Sequence, residues 1–285
     1  MKIIWTKEKV KYTKELYIMI VFCIIAVLFI YFYYLKDILI AYELVPDLLY
    51  ISIIIFIRIL IMSLLIIVIF RHWLSQENVY LDDLPFLIGL FFLASTFGKV
   101  LDLLHYFIAF TVSESEILLF LKFRYLLIIF AALPLLYIGI SLILYIRDFS
   151  KENIKRYSLI IILISSITEI LLIFLAINMF FVGLMLPIIL FPPLLMLIIL
   201  FAFAFKQKRL SQVHPLILSI GFTICLFSQV LRPILQILLI PTGSTASNSE
   251  LIGGVLYVLI SEIVSIFAFI IIFIGLLIKA KYFKT

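Results

Sequence analysis

Long apolar runs, separated by short polar segments, recur along the whole chain. A helix that crosses a bilayer needs about 20 mostly apolar residues, because the hydrocarbon core is about 30 Å thick and each helical residue rises about 1.5 Å. Hydrophobic residues make up 66% of the 285 residues and charged residues 13%, whereas a soluble domain has roughly 45–50% and about 25%. The pattern predicts an all-α, polytopic transmembrane helix bundle and excludes a large soluble catalytic domain.

The apolar runs predict about eight spans in one integral membrane domain covering residues 1–285. The predicted spans are 16–35, 48–70, 84–110, 117–146, 158–181, 183–205, 215–240 and 253–278. The fifth and sixth spans have no polar loop between them, but one helix over 158–205 would be about 72 Å long, more than twice the hydrocarbon core. We therefore expect a tight turn near Val182 and Gly183.

The basic residues predict the orientation. Lysines and arginines accumulate on the cytoplasmic side of a membrane, and alternate loops and the termini carry sixteen of them, whereas the opposite loops carry only Lys36. This asymmetry predicts a multi-pass protein of the cell membrane with both termini in the cytoplasm. The net charge of +6 is then explained by anionic lipid headgroups at that face. The bilayer is the expected partner, and nucleic acid is not.

Several charged residues remain inside the predicted spans. Each costs about 2.5–3.5 kcal/mol near a helix centre, so such groups are expected to pair or to line a polar site. Three cations balance three anions among the deepest six: Arg58, Lys99, Arg232, Asp102, Glu169 and Glu262. All six fall in the half of the membrane away from the basic loops. The sequence therefore predicts a charge-balanced polar pocket in the extracytoplasmic half.

The third predicted span carries a polar stripe. Lys99, Asp102 and His105 step by three residues, and residues three apart share a helix face. Asp102 is therefore expected to neutralise Lys99 and to orient the His105 imidazole. Arg232 and Glu262, at matching depth on consecutive antiparallel spans, are expected to pair.

Gln229 and Arg124 are two further candidate residues for the polar pocket. Pro233 frees a backbone carbonyl near Gln229, and Arg124 either binds an anionic group or reaches the lipid headgroups. The candidate ligand-binding residues are Arg58, Lys99, Asp102, His105, Arg124, Glu169, Gln229, Arg232 and Glu262. The same charges could instead serve only to hold helices together, and that interpretation stays open here.

Several chemistries find no support in the sequence. His105 is the only histidine inside a predicted span, whereas a transmembrane haem usually takes two, and the last span has no lysine for a retinal Schiff base before Lys279. Nucleotide-binding, zinc-protease and nucleophile-elbow motifs are absent, and Cys23 and Cys225 suggest neither a disulfide framework nor a metal site. We predict no cofactor, metal or catalytic residue; an enzyme remains open but unsupported.

Residues 83–146 resemble part of the MASE3 membrane-associated sensor modules of prokaryotic histidine kinases and cyclases. The likeness lies in Leu101-Asp102-Leu103-Leu104-His105 at the end of one helix and Phe123-Arg124-Tyr125-Leu126 at the start of the next. The family's aromatic-Lys-Gly run is replaced here by Tyr106-Phe107-Ile108-Ala109. The resemblance implies a polytopic sensory bundle in which Asp102, His105 and Arg124 are the residues to carry over.

Three functions follow as hypotheses. The first is a sensor-like or receptor-like bundle that binds a small or lipidic ligand and signals through a cytoplasmic or membrane partner. The second is an ion- or proton-coupled transporter using Lys99, Asp102, His105 and Glu169, although the cytoplasmic half offers no polar exit path. The third is a lipid-modifying enzyme of the outer leaflet.

Overall fold

The computed structural model describes residues 6–45, 48–109, 111–239 and 248–280; for residues 180, 183–184, 232–239, 248–255 and 257 it describes the backbone alone. Throughout these ranges the regular structure is helical, which confirms the all-α prediction. The helices are α1 (Lys7–Tyr33), α2 (Leu35–Leu44), α3 (Leu48–Leu74), α4 (Leu84–Ile108), α5 (Glu114–Ile146), α6 (Lys151–Leu175), α7 (Met179–Lys206), α8 (Pro215–Leu239) and α9 (Asn248–Leu277).

Within the described residues, seven helices are long and apolar enough to cross a membrane: α1, α3, α4, α5, α6, α7 and α9. In α8, the segment Pro215–Leu231 forms a shorter apolar stretch. The chain is therefore a membrane-embedded helical protein. Each of the eight predicted spans lies mainly on a different long helix, and the short helix α2 is an addition that hydropathy did not predict.

Polar capping residues extend the helices beyond the predicted spans. The Thr6 hydroxyl accepts a hydrogen bond from the Lys9 backbone N–H (3.3 Å), so α1 begins well before the apolar run. Ser150 caps α6 in the same way through Asn153 (3.4 Å). A side-chain oxygen at this position satisfies an N–H that the first helical turn leaves unpaired. A hydropathy pattern does not detect such caps, because they lie outside the apolar runs.

The predicted turn near Val182 and Gly183 was wrong, because both residues lie inside α7. The chain turns instead between Leu175 and Met179, where the Asn178 Oδ1 accepts a hydrogen bond from the Phe181 backbone N–H (2.9 Å). Asparagine is a preferred N-cap residue of helices. It therefore determines where α7 begins more strongly than the glycine five residues later.

Helix α4 is the centre of the bundle. It packs against α1, α2, α3 and α5, while α3, α7, α8 and α9 complete the surrounding ring through their own contacts. Along α4 the buried charges come between two apolar clusters: one includes Phe92, Phe201 and Phe222, and the other includes Ile55 and Leu104. The apolar segment of α1, by contrast, has no buried residue.

Helices α8 and α9 approach closely at one end of their contact. A Cβ atom on Gly221 would lie 2.8 Å from the backbone nitrogen of Ile272, and one on Gly275 would lie 2.9 Å from that of Leu218. Small residues allow membrane helices to approach in this way, which maximises van der Waals contact. We call this contact, at Gly221 and Gly275, the α8–α9 seam.

Candidate functional site

A chain of ion pairs joins four helices in the interior of the bundle. Glu262 of α9 contacts both Arg58 of α3 and Lys99 of α4, and Lys99 also contacts Asp102 one turn further along α4. Asp102 in turn pairs with Arg124 of α5, whose Nη2 lies 2.6 Å from Asp102 Oδ1. The charges alternate along the whole chain, so each carboxylate lies between two cations.

The members of this chain are withdrawn from the surface. Glu262 is 1% exposed, Asp102 2%, Lys99 5% and Arg58 8%. Because the helices supply their own backbone hydrogen bonds, these side chains must satisfy one another. The predicted contact between Lys99 and Asp102 is confirmed, and it follows from their spacing of three residues on one helix.

Cations outnumber carboxylates in this chain. Three basic side chains meet two acidic ones, which leaves one positive charge in excess when all five groups are ionised. The Arg58 Nε is also buried and has no hydrogen-bond partner among the described residues, although the Phe269 ring lies 5.5 Å from the Arg58 guanidinium carbon. The expected balance of three against three is therefore not what the described side chains form.

The ion pairs border a cavity of about 100 Å³, which we call the charged cavity. All five members of the chain line it, together with residues of helices α7 and α8. Its other polar lining residues are Ser95, Ser228, Gln229, Ser261 and Ser265, and its apolar lining residues include Phe91, Ala94, Leu127, Leu190 and Phe269.

The serine hydroxyls around the charged cavity are oriented by their own helices. Ser228 donates to the Cys225 carbonyl (2.7 Å), Ser261 to that of Val258 (3.0 Å) and Ser265 to that of Ser261 (2.8 Å). A hydroxyl that donates its only hydrogen keeps its oxygen lone pairs as acceptors. The site thus offers donors on its cations and acceptors on its serines.

The structure brings six of the predicted site residues to one cavity: Arg58, Lys99, Asp102, Arg124, Gln229 and Glu262. His105 is not in the lining; its ring stacks on Phe120, with ring centroids 6.4 Å apart. The side chain of Arg232 lies outside the described residues, and its pairing with Glu262 stays a prediction.

Glu169 does not belong to this site. It lies on α6, which contributes no residue to the lining, and its Oε1 accepts a hydrogen bond from Ser165 (3.1 Å). The prediction of Glu169 as a site residue implies α6 as a wall of the pocket, but α5 and α7 take that position. Periodicity could not decide this, because α5 and α6 both combine a long apolar run with a few charged residues.

The serines of α8 and α9 that line the charged cavity are not among the predicted site residues. Ser261 precedes Glu262 directly and Ser265 follows Ser261 by four residues, so a helical projection of the last span would have placed all three near one face. Near the start of α5, the sequence positions of Arg124 and of Lys122, two residues before it, are both compatible with a place at the lipid headgroups. The structure separates them: Arg124 is paired inside, whereas Lys122 donates to the Phe174 carbonyl (3.0 Å) on the outside.

Within the described residues, no group of three or more histidine, cysteine, aspartate or glutamate side chains could hold a metal ion. The arrangement instead suits the binding of an anionic or strongly polar group. No family model, no curated protein and no solved structure matches the chain. The resemblance to MASE3 modules therefore stays a prediction, and the charged cavity carries the functional argument alone.

Proposed function

We propose that the protein is a receptor-like bundle of the cell membrane that binds a small or lipidic ligand through an anionic group in the charged cavity. The observation that carries the proposal is that, among the described residues, cations outnumber carboxylates around the charged cavity. A ligand anion there would accept hydrogen bonds from groups that are already charged. Such charge-assisted bonds are roughly twice as strong as neutral ones.

The space beside the ion pairs supports a binding role over a purely structural one. Ion pairs that only held helices together would gain from complete closure, because voids cost packing energy. Here the cavity persists, and a Cβ atom on Gly98, which lines it, would meet no heavy atom within 4 Å. The site also keeps an unpartnered Arg58 Nε among the described atoms.

The proposal includes eight spans with both termini in the cytoplasm, as the basic loops predict. Six helices border the charged cavity: α3, α4, α5, α7, α8 and α9. A ligand that neutralises the excess charge would change the contacts among all of them. We propose that a signalling partner at the membrane or in the cytoplasm reads that change.

The receptor is favoured over the transporter by the position of Glu169. The transport hypothesis placed Glu169 with Lys99, Asp102 and His105 in one coupled site, but Glu169 lies on α6 outside the cavity lining. The wall that α7 contributes is apolar, through Leu186, Leu190 and Leu194. A polar path that continues from the charged cavity through this wall would need different residues.

The test is native mass spectrometry of the protein in lipid nanodiscs, which detects small molecules retained by each variant. We expect a retained anionic species in the parent and in Lys122→Gln, and its loss in Arg124→Gln. Lys122 is the matched control, because it is a nearby cation of α5 that does not line the charged cavity.

Gly98→Val gives an independent variant that keeps every charge and fills the cavity instead. It should fold like the parent, because its Cβ atom enters open space and its two methyl groups extend from there, and it should lose the retained species. Retention that is equal in the parent, Arg124→Gln and Gly98→Val, or absent from all of them, would contradict a ligand at this site.

A further inference from the structure

A second cavity, of about 790 Å³, lies on the outer side of α4 and α5, between α1 and α6. We call it the apolar groove. Its walls are mainly aliphatic and aromatic side chains, among them Leu90, Leu93, Phe97, Phe130, Leu133 and Leu159. Cavities that enclose a drug-sized ligand occupy roughly 300–1,000 Å³ and are mostly apolar. The groove therefore has the size and the chemistry of a binding site, but its walls along α4 and α5 lack a charged group to fix a ligand.

The charged cavity and the apolar groove adjoin. Ala94 of α4 and Leu127 of α5 line both of them. From this junction the groove follows α5 as far as Tyr137, ten residues or about 15 Å along the helix. Arg124 lies one turn to the other side of Leu127, within the charged cavity.

The charged cavity and the apolar groove each supply what the other lacks for an amphiphilic ligand. The charged cavity, at about 100 Å³, is well below the usual range, and it would hold little more than a head group. The groove holds the volume that the charged cavity lacks. A molecule with a compact charge and an apolar tail would satisfy both spaces at once.

The apolar groove opens towards the outer, lipid-facing surface of the bundle. Met19, Phe130 and Leu159 line it and are 40%, 57% and 51% exposed. On spanning helices, such exposed side chains face lipid tails. A ligand dissolved in the bilayer could therefore enter from the side, without crossing a polar surface.

We infer that the ligand is a single-chain amphiphile, with an anionic head group beside Arg124 and Arg58 and an alkyl chain in the apolar groove. The inference rests on the proposed function, since it names the class of ligand for the same site. A carboxylate and a phosphate monoester share the required chemistry, an anion that accepts hydrogen bonds from guanidinium groups. The alkyl chain of the ligand runs along the groove from Leu127 towards Tyr137.

The far end of the groove offers a rival place for a head group, at Lys155. There Asp82 lies in the same lining and opposes an anion. The charged cavity, with its excess of cations, is therefore the better partner for the head group. The two arrangements differ in chain direction, which gives a direct test.

The test uses dodecanoate with a diazirine at its chain terminus, because its extended chain is of about the length of the groove. The probe is photolysed with the whole protein in nanodiscs of zwitterionic lipid, and labelled peptides are identified by mass spectrometry. We expect labels near Tyr137 and Leu159. Labels near Ala94 and Leu127 would place the head group at Lys155 and overturn the inference.

Two matched pairs of variants separate the head group from the chain. Arg124→Gln should lower labelling about tenfold, the loss of one strong polar contact, whereas Lys155→Gln should change it less than about fivefold, as for an exposed charge. Ala94→Leu fills the junction and should reduce labelling as much as Arg124→Gln does, with Ala94→Ser as the control of similar size.

Competition distinguishes a failure of the inference from a failure of the proposed function. Unlabelled dodecanoate should compete at least about tenfold better than acetate, which lacks the chain, or dodecanol, which lacks the charge. If acetate competes equally well and Ala94→Leu has no effect, the charged cavity binds a small anion and only the amphiphile is wrong. If Arg124→Gln and Gly98→Val both label like the parent, both proposals fail.

Discussion

Helices α8 and α9 meet in two very different ways along their length. At the α8–α9 seam, Gly221 and Gly275 bring the backbones so close that an added Cβ would lie within 3 Å of a backbone nitrogen. Further along the same helices, around Ser228 and Glu262, the helices help to enclose the charged cavity. One pair of helices thus combines a tightly packed end and, midway along, an open polar segment.

The difference shows how the bundle separates stability from binding. Close contact of small residues stabilises helices without polar groups, through van der Waals packing alone. The open segment depends on ion pairs, whose removal leaves charges in an apolar interior. Space for a ligand exists only where close packing is absent, so the tightly packed end must supply stability that the open segment lacks.

The largest effect is expected from Glu262→Gln. This carboxylate contacts both Arg58 and Lys99, and its loss leaves two buried cations short of a partner. We expect a loss of about 3–5 kcal/mol in the free energy of unfolding, measured by denaturant titration in mixed micelles. Glu169→Gln is the control: among the described residues Glu169 accepts a hydrogen bond from Ser165, so the loss of stability in this variant should stay below about 1.5 kcal/mol. Equal losses in the two variants would mean that the ion pairs do not stabilise the open segment.

An intermediate effect is expected from Gly221→Ala. The new methyl group would meet the Ile272 backbone, which can move only if α9 moves. We expect a loss of about 1–3 kcal/mol in the same titration. Gly139→Ala is the control, because the atoms in its way belong to the flexible Met196 side chain. A loss at Gly139 as large as that at Gly221 would show that the seam is not especially tight.

The smallest effect, with the opposite sign, is expected from Gly98→Ala. A methyl group there enters open space, and alanine is favoured over glycine in a helix by about 0.8–1 kcal/mol. The variant should unfold at slightly higher denaturant than the parent. A measurable loss of stability would mean that the charged cavity is closed in solution and that the region around it is packed as tightly as the α8–α9 seam.

The sequence predicted elements and local contacts well, but not their mutual arrangement. The long apolar runs predict every long helix, and the spacing of Lys99 and Asp102 predicts their ion pair. The sequence pattern could not show that Arg124 lines the charged cavity and that Glu169 does not. In a soluble helix the apolar face marks the core, but a membrane helix is apolar on its lipid side as well. Partners on different helices therefore leave no periodic trace.

The short turn around Asn178 constrains how the chain enters the bilayer. Three residues separate α6 from α7 and reach at most about 11 Å when extended, far less than the hydrocarbon core of about 30 Å. Insertion of α6 across the membrane therefore draws α7 with it as a helical hairpin. The two helices should therefore insert into the membrane as one unit. A change that made α7 too polar to insert would then prevent the insertion of α6 as well.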